Sequence, residues 1–133
     1  MGHIWVRAKI CSLDGSRCKD VSALVDTGAT LSVVPRGLAK ELGLRPHRVD
    51  KIQTGAGTIE AERAAVIIEI EGRRTVTEAW VSDIIDKPLI GVTTLELLGL
   101  QVDPATGRLR EAPLLLYAFF GPWRKASKAM NPL

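Results

Sequence analysis

Ala23-Leu24-Val25-Asp26-Thr27-Gly28-Ala29-Thr30 decides the reading of this chain. Three apolar residues run into a carboxylate, a hydroxyl and a glycine. The stretch reads as a strand that delivers Asp26 to the end of a sheet, where Gly28 lets the backbone turn with no Cβ in the way. A carboxylate held at a strand end, on a loop, stands where binding and catalytic groups concentrate. Taken alone, Asp26-Thr27-Gly28 reads equally as an ordinary turn, because Asp and Gly are both turn residues.

Two downstream segments separate these readings. Gln53-Thr54-Gly55-Ala56-Gly57-Thr58 is a glycine-rich hairpin candidate, and Pro88-Leu89-Ile90-Gly91-Val92-Thr93-Thr94-Leu95-Glu96-Leu97-Leu98-Gly99 places an apolar pair before a glycine and a short helix. In order and spacing the three elements resemble the retroviral-type, or retropepsin-like, aspartic proteases, over about residues 4 to 100. The resemblance implies an all-β, closed barrel-like fold with one or two short helices. It implies a catalytic loop of Asp26, Thr27 and Gly28, in which Thr27 hydrogen-bonds across a dimer. Gly55, Ala56 and Gly57 would form a flap over the substrate, although an ordinary hairpin loop is the competing reading. Ala29, Thr30, Leu89 and Ile90 would line the cleft, with the Leu89-Ile90 strand crossing behind the catalytic loop.

There is no internal repeat, so one chain holds half of such a site. A homodimer would bring Asp26 against Asp26 of its partner, and the two carboxylates would activate a water to hydrolyse a polypeptide with no cofactor. The rival reading keeps the fold for self-association or peptide capture without catalysis. Two positions depart from the viral pattern: Thr30 stands where those enzymes commonly carry an acid, and Val92 where they carry an arginine.

Composition fits one globular domain. The 133 residues are 46% hydrophobic and 25% charged, which sets the chain apart from disordered sequences. The net charge of +3 gathers partly in Arg36, Lys40, Arg45, Arg48 and Lys51 and in Arg124, Lys125 and Lys128. No basic run interleaves with aromatics, so nucleic acid is not indicated. No segment reaches bilayer-spanning length, and a cytoplasmic protein is expected. The apolar stretch Leu114 to Trp123, with the basic residues after it, suits a buried strand, a partner-facing edge or peripheral contact with a membrane. Residues 1–111 are read as the protease-like domain and 112–133 as an extension.

Cys11 and Cys18 flank Asp14-Gly15, a two-residue hairpin turn that would set them directly opposite one another. Counting outward makes 13/16 and 11/18 hydrogen-bonded pairs and 12/17 a non-bonded one. A bridge is feasible there, with a pair of reduced thiols as the default for a cytosolic chain. His3 and His47 add too few ligands for zinc, so no metal is expected.

Further along, Leu31–Val34 reads as a strand and Arg36–Leu42 as a helix closed by Gly43. A hairpin turning at Glu71-Gly72 would pair Glu69 with Arg74. Ile84–Ile90 reads as a strand, and Thr93-Thr94-Leu95-Glu96 as a capping box with Thr93 at the N-cap. Leu100–Val102 and Arg108–Leu116 read as strands joined at Asp103–Gly107.

Overall fold

Alternation along the first hairpin starts the sheet. A computed structural model describes residues 3–116. In it β1 (Ile4–Cys11) buries Ala8 and Ile10 and exposes Trp5, Arg7 and Lys9. It pairs antiparallel with β2 (Cys18–Val25), from Ile4 opposite Val25 to Cys11 opposite Cys18.

The two cysteines are joined in a disulfide, which corrects the expectation of free thiols. The register is the expected one, but the hydrogen-bond phase is reversed. Asp14 accepts hydrogen bonds from the Ser12 hydroxyl, the Ser16 amide and the Ser16 hydroxyl, organising residues 13–16 as a wider loop. The Ser12 amide then donates to the Arg17 carbonyl, so the ladder bond falls on 12/17. Cys11 and Cys18 become a non-hydrogen-bonded pair, the narrower type, with Cα atoms 4.0 Å apart.

β2 lies parallel to β7 (Leu89–Ile90), whose other edge meets β3 (Ser32–Pro35) antiparallel at Val33. β3 runs parallel to β6 (Arg73–Ser82), and β6 runs antiparallel to β5 (Gly57–Ile70). β5 returns to β1 through Lys9–Glu69, Ile10–Ile68 and Cys11–Ile67, closing the barrel. β4 (Pro46–Thr54) pairs only with the first half of β5, so the β4–β5 hairpin projects from the ring. The Glu71-Gly72 turn is as expected, both residues at positive φ, with Glu69 opposite Arg74.

Inward residues of every wall meet in one core that includes Ile10, Val34, Val66, Ile68, Ile70, Val81 and Ile90. Each such side chain contributes about 1.5–3 kcal/mol on burial. Two helices plug its ends. α1 (Arg36–Leu42) follows Pro35, buries Ala39 and Leu42, and stops at Gly43, whose φ of 67° places it in the left-handed region. α2 (Val92–Leu98) starts directly after Gly91, with no side-chain cap. The expected cap at Thr93 is therefore corrected: the helix begins earlier, its first amides at Val92 and Thr93 donating to the carbonyls of Ala29 and Thr30.

Two further expectations change. Residues 83–88 form a loop instead of the first part of a strand. The Ser82 hydroxyl accepts the amides of Ile84 and Ile85, turning the chain before Pro88. β8 (Leu100–Asp103) pairs with β9 (Arg108–Glu111), which ends before Pro113 and falls short of Leu116. Arg73 donates to the carbonyls of Leu98 and Gly99 and pairs with Glu111, tying this hairpin to the barrel. Most of the expected extension, including Tyr117–Trp123, lies outside the described residues. Among the described residues no helix is long and apolar enough to cross a membrane.

Candidate active site

The chain leaves β2 at Val25 and enters a loop held by main-chain bonds to its neighbours and by bonds of its own. The Asp26 amide donates to the Ile90 carbonyl at 2.9 Å, and the Ala29 amide to the Asp26 carbonyl at 3.1 Å. The Asp26 carboxylate accepts the Gly28 amide at 3.0 Å, which fixes the side chain against the turn. Asp26 is half-buried, and Thr27 and Gly28 are exposed beside it.

The loop is braced from behind by the start of α2. Val92 donates to the Ala29 carbonyl at 2.8 Å and Thr93 to the Thr30 carbonyl at 3.1 Å. These backbone bonds join positions 29 and 30 to 92 and 93, where the viral pattern uses an ion pair between side chains. Loss of the acid at Thr30 and the arginine at Val92 therefore leaves the loop anchored.

Beneath the loop lies a buried polar cluster. The Ser32 hydroxyl accepts the Gly91 amide at 3.0 Å and lies 2.6 Å from the Thr94 hydroxyl. Ser32 and Thr94 are fully buried; the bond between their hydroxyls satisfies Thr94, whereas Ser32 also holds the Gly91 amide. The sequence signal at Thr94 looked like part of a helix cap, and this role was not legible from it.

The projecting β4–β5 hairpin overhangs a cavity of about 680 Å³. Its apolar walls include Val33, Val49, Ile52, Ile59, Ile84 and Leu89, with Arg36, Glu60, Glu62 and Asp83 among its charged groups. Ile84 is 81% exposed in this chain, an unpartnered aliphatic side chain at the cavity wall. Leu89 lines the cavity as expected. Ile90, expected beside it, is fully buried in the core, because adjacent strand residues point to opposite faces.

Gly55 and Ala56 form the hairpin turn, with Thr54 opposite Gly57. The Thr54 hydroxyl accepts the Ala56 amide and donates to the Gly57 carbonyl, and Gly57 takes φ 123°. The three tip residues are exposed; Thr54, Ile59 and Glu60 are the hairpin residues nearest the tip that line the cavity. Asp26, Ala29 and Thr30 do not line it. Asp26 follows Val25, whose strand partner Ile90 is the neighbour of the cavity-lining Leu89. Thr27 borders a second hollow, with Val92, Leu97 and Leu114.

The aspartyl protease family profile matches residues 6–102, most of the chain, including the Asp26 loop, the β4–β5 hairpin and α2. The chain belongs to the aspartyl protease family. The fold is also that of solved proteases of the retropepsin type. It is similar to the EIAV protease complexed with the inhibitor HBY-793, at 24% identity and TM-score 0.58, covering 86% of this chain and 94% of that one. It is similar to a retropepsin-like aspartic protease from Rickettsia conorii, at 22% identity, TM-score 0.55 and 77% of both chains. The retroviral protease-like domain of Ddi1 from Leishmania major gives 17% identity and TM-score 0.56, covering 84% and 85%. A comparison with curated protein sequences finds no match. The matched residues 6–102 include the whole Asp26 loop.

Proposed function

We propose that the protein is a homodimeric aspartic endopeptidase in which Asp26 of each subunit supplies one of two catalytic carboxylates. The observation that supports this reading is the aspartyl protease family match over residues 6–102, which spans a single Asp26-Thr27-Gly28 loop at the end of β2. A half-site of this kind is completed by a second copy meeting it across a two-fold axis, an isologous contact. Two carboxylates side by side repel, so the pair holds one proton between them over part of the pH range. The ionised member takes a proton from water, and the protonated member gives its proton to the carbonyl oxygen of the scissile bond. The attacking oxygen adds to the carbonyl carbon, and collapse of the tetrahedral intermediate breaks the C–N bond as the nitrogen is protonated.

The remaining residues divide the supporting work. Gly28 orients the Asp26 carboxylate through its amide and leaves room for the substrate backbone. Thr27 braces the two loops across the dimer. Ala29 and Thr30 continue the cleft floor, and Leu89 contributes its apolar wall. Gly55, Ala56 and Gly57 give the hairpin a tip able to close over an extended polypeptide and exclude water.

Asp26→Asn tests the proposal, because the amide oxygen retains the bond from Gly28 while the ionisable group is lost. The variant is expected to keep its fold and its dimer and to lose peptide cleavage by a factor of about 10³ or more. Cleavage by the variant at the parent's rate overturns the assignment. Peptide binding by the parent with no cleavage at any pH leaves a capture module.

A further inference from the structure

We propose that the hairpin over the cleft hinges at residues 61–63, and that Arg36 and Asp50 are the positioning residues that clamp this hinge on either side of β5. The inference rests on the peptidase reading above for its consequence, and on geometry alone for the hinge.

Three observations converge on the same short segment. Pairing between β5 and β6 begins at Glu62, opposite Val81, so residues of β5 before it are held only by β4. Beyond that point the side-chain hydrogen bonds of the hairpin are local to its tip, between Thr54 and residues 56 and 57. Glu62 and Arg63 are adjacent on β5, so their side chains leave the strand on opposite sides.

Each side carries its own clamp. Glu62 pairs with Arg36, the first residue of α1, and Arg36 forks onto both oxygens of Asp83, Nε at 2.8 Å and Nη2 at 3.2 Å. One guanidinium thus joins the hairpin base to the loop that presents Ile84 and Ile85 to the cavity. That planar fork is a geometry lysine cannot reproduce. On the other side, Asp50 of β4 is 8% exposed, accepts hydrogen bonds from Arg63 Nε at 2.6 Å and Trp80 Nε1 at 2.8 Å, and forms an ion pair with Arg48, Nε at 2.8 Å. Trp80 belongs to β6, so this carboxylate reaches across β5 to fix β4 to the barrel. The lever that moves is then residues 51–60, and Arg36 sets the spacing between its base and the Ile84–Ile85 wall.

The test compares Arg36→Met, Arg36→Lys and Asp50→Asn with the parent chain. Amide hydrogen exchange is read at residues 51–60, and steady-state kinetics on a quenched-fluorescence decapeptide with Leu-Phe at the scissile position. Arg36→Met and Asp50→Asn are each expected to speed exchange at 51–60 about fivefold, with the barrel strands unaffected. Arg36→Met should raise KM about tenfold with kcat within about twofold, and Arg36→Lys should fall between it and the parent. Should Arg36→Met not fold, Glu62→Gln, which keeps the shape and removes the charge, carries the same expectation. Unchanged exchange at 51–60 in both clamp variants, or a fall in kcat at constant KM, overturns the hinge. A parent that cleaves no peptide while exchange responds as described leaves the hinge standing and removes the peptidase reading.

Discussion

Gly91 lies directly against the main chain of Leu31: a Cβ on Gly91 would stand 2.4 Å from both the carbonyl carbon and the oxygen of Leu31, and 2.9 Å from the Ala29 oxygen. The chain leaving β7 therefore passes behind the Asp26 loop at backbone-to-backbone distance. The requirement is steric, since Gly91 has an ordinary extended backbone with φ −86°. Its neighbours Ile90 and Val92 exchange hydrogen bonds with Asp26 and Ala29, so the glycine sits within the set of bonds that shapes the loop.

Gly91→Ala is accordingly expected to push the loop off the strand and to destabilise the protein by about 3 kcal/mol, because neither contacting atom is the end of a flexible side chain. Urea unfolding measures this directly. A loss below about 0.5 kcal/mol, the range of an ordinary surface change, shows that the loop does not pack as described.

Ser32→Ala removes the acceptor of the Gly91 amide and the partner of the Thr94 hydroxyl together. Both groups are buried, and leaving them unpaired costs about 2–3 kcal/mol. Thr94→Val should cost less, since the Ser32 hydroxyl keeps its bond from Gly91. A double-mutant cycle on the pair is expected to show a coupling of about 1 kcal/mol. Strict additivity means that the two hydroxyls do not bond.

Much of this arrangement was legible in residue order. Period-two alternation located β1, Asp26 marked the end of β2, and the Pro35–Gly43 interval set α1 to the residue. What was illegible came from contacts between distant segments. Thr94 reads in sequence as an interior residue of the capping box that starts at Thr93, because its partner, Ser32, is 62 residues away. Ile84 and Ile85 read as strand because they are apolar, but the Ser82 hydroxyl takes their amides and turns them to the cavity. Ile90 seemed to line the cleft with Leu89, and the pleat sends it to the core. The disulfide turned on which pair of a hairpin carries the ladder bonds, and Asp14 decided that through its own side-chain bonds.

Reducing the Cys11–Cys18 bridge should cost roughly 2–3 kcal/mol, the constraint on the unfolded chain expected for so short a loop. The β1–β2 ladder from Ile4–Val25 to Ile10–Lys19 does not depend on the bridge, so peptide cleavage is expected to survive. Unfolding midpoints with and without dithiothreitol give the first number, and a peptidase assay under the same conditions gives the second. Complete loss of cleavage on reduction, with the fold retained, contradicts this account of the hairpin.

Acid should act on the base of the β4–β5 hairpin before it acts on the barrel. The Asp50 carboxyl is held below its ordinary value of 3.8 by the hydrogen bond from Trp80, then by that from Arg63 and the charges of Arg48 and Arg63. Asp83 is lowered in the same way by Arg36. Below the ordinary carboxylate value the unfolded chain binds more protons at these positions than the folded one. Stability contributed by both residues is therefore complete above that value and lost as pH falls through the lowered one. The Asp14 carboxyl, drawn down to about 2 by the Ser16 amide and the Ser12 and Ser16 hydroxyls, follows the same sign but lies in the distant β1–β2 turn. Hydrogen exchange between about pH 2.5 and 6, corrected for intrinsic rates, should show protection at residues 51–60 falling on the acid side. Asp50→Asn should flatten that fall, because the amide gains no proton over this range. A parent whose hairpin protection stays level down to the lowest pH, or a variant with the parent's steepness, shows that Asp50 does not hold the hinge.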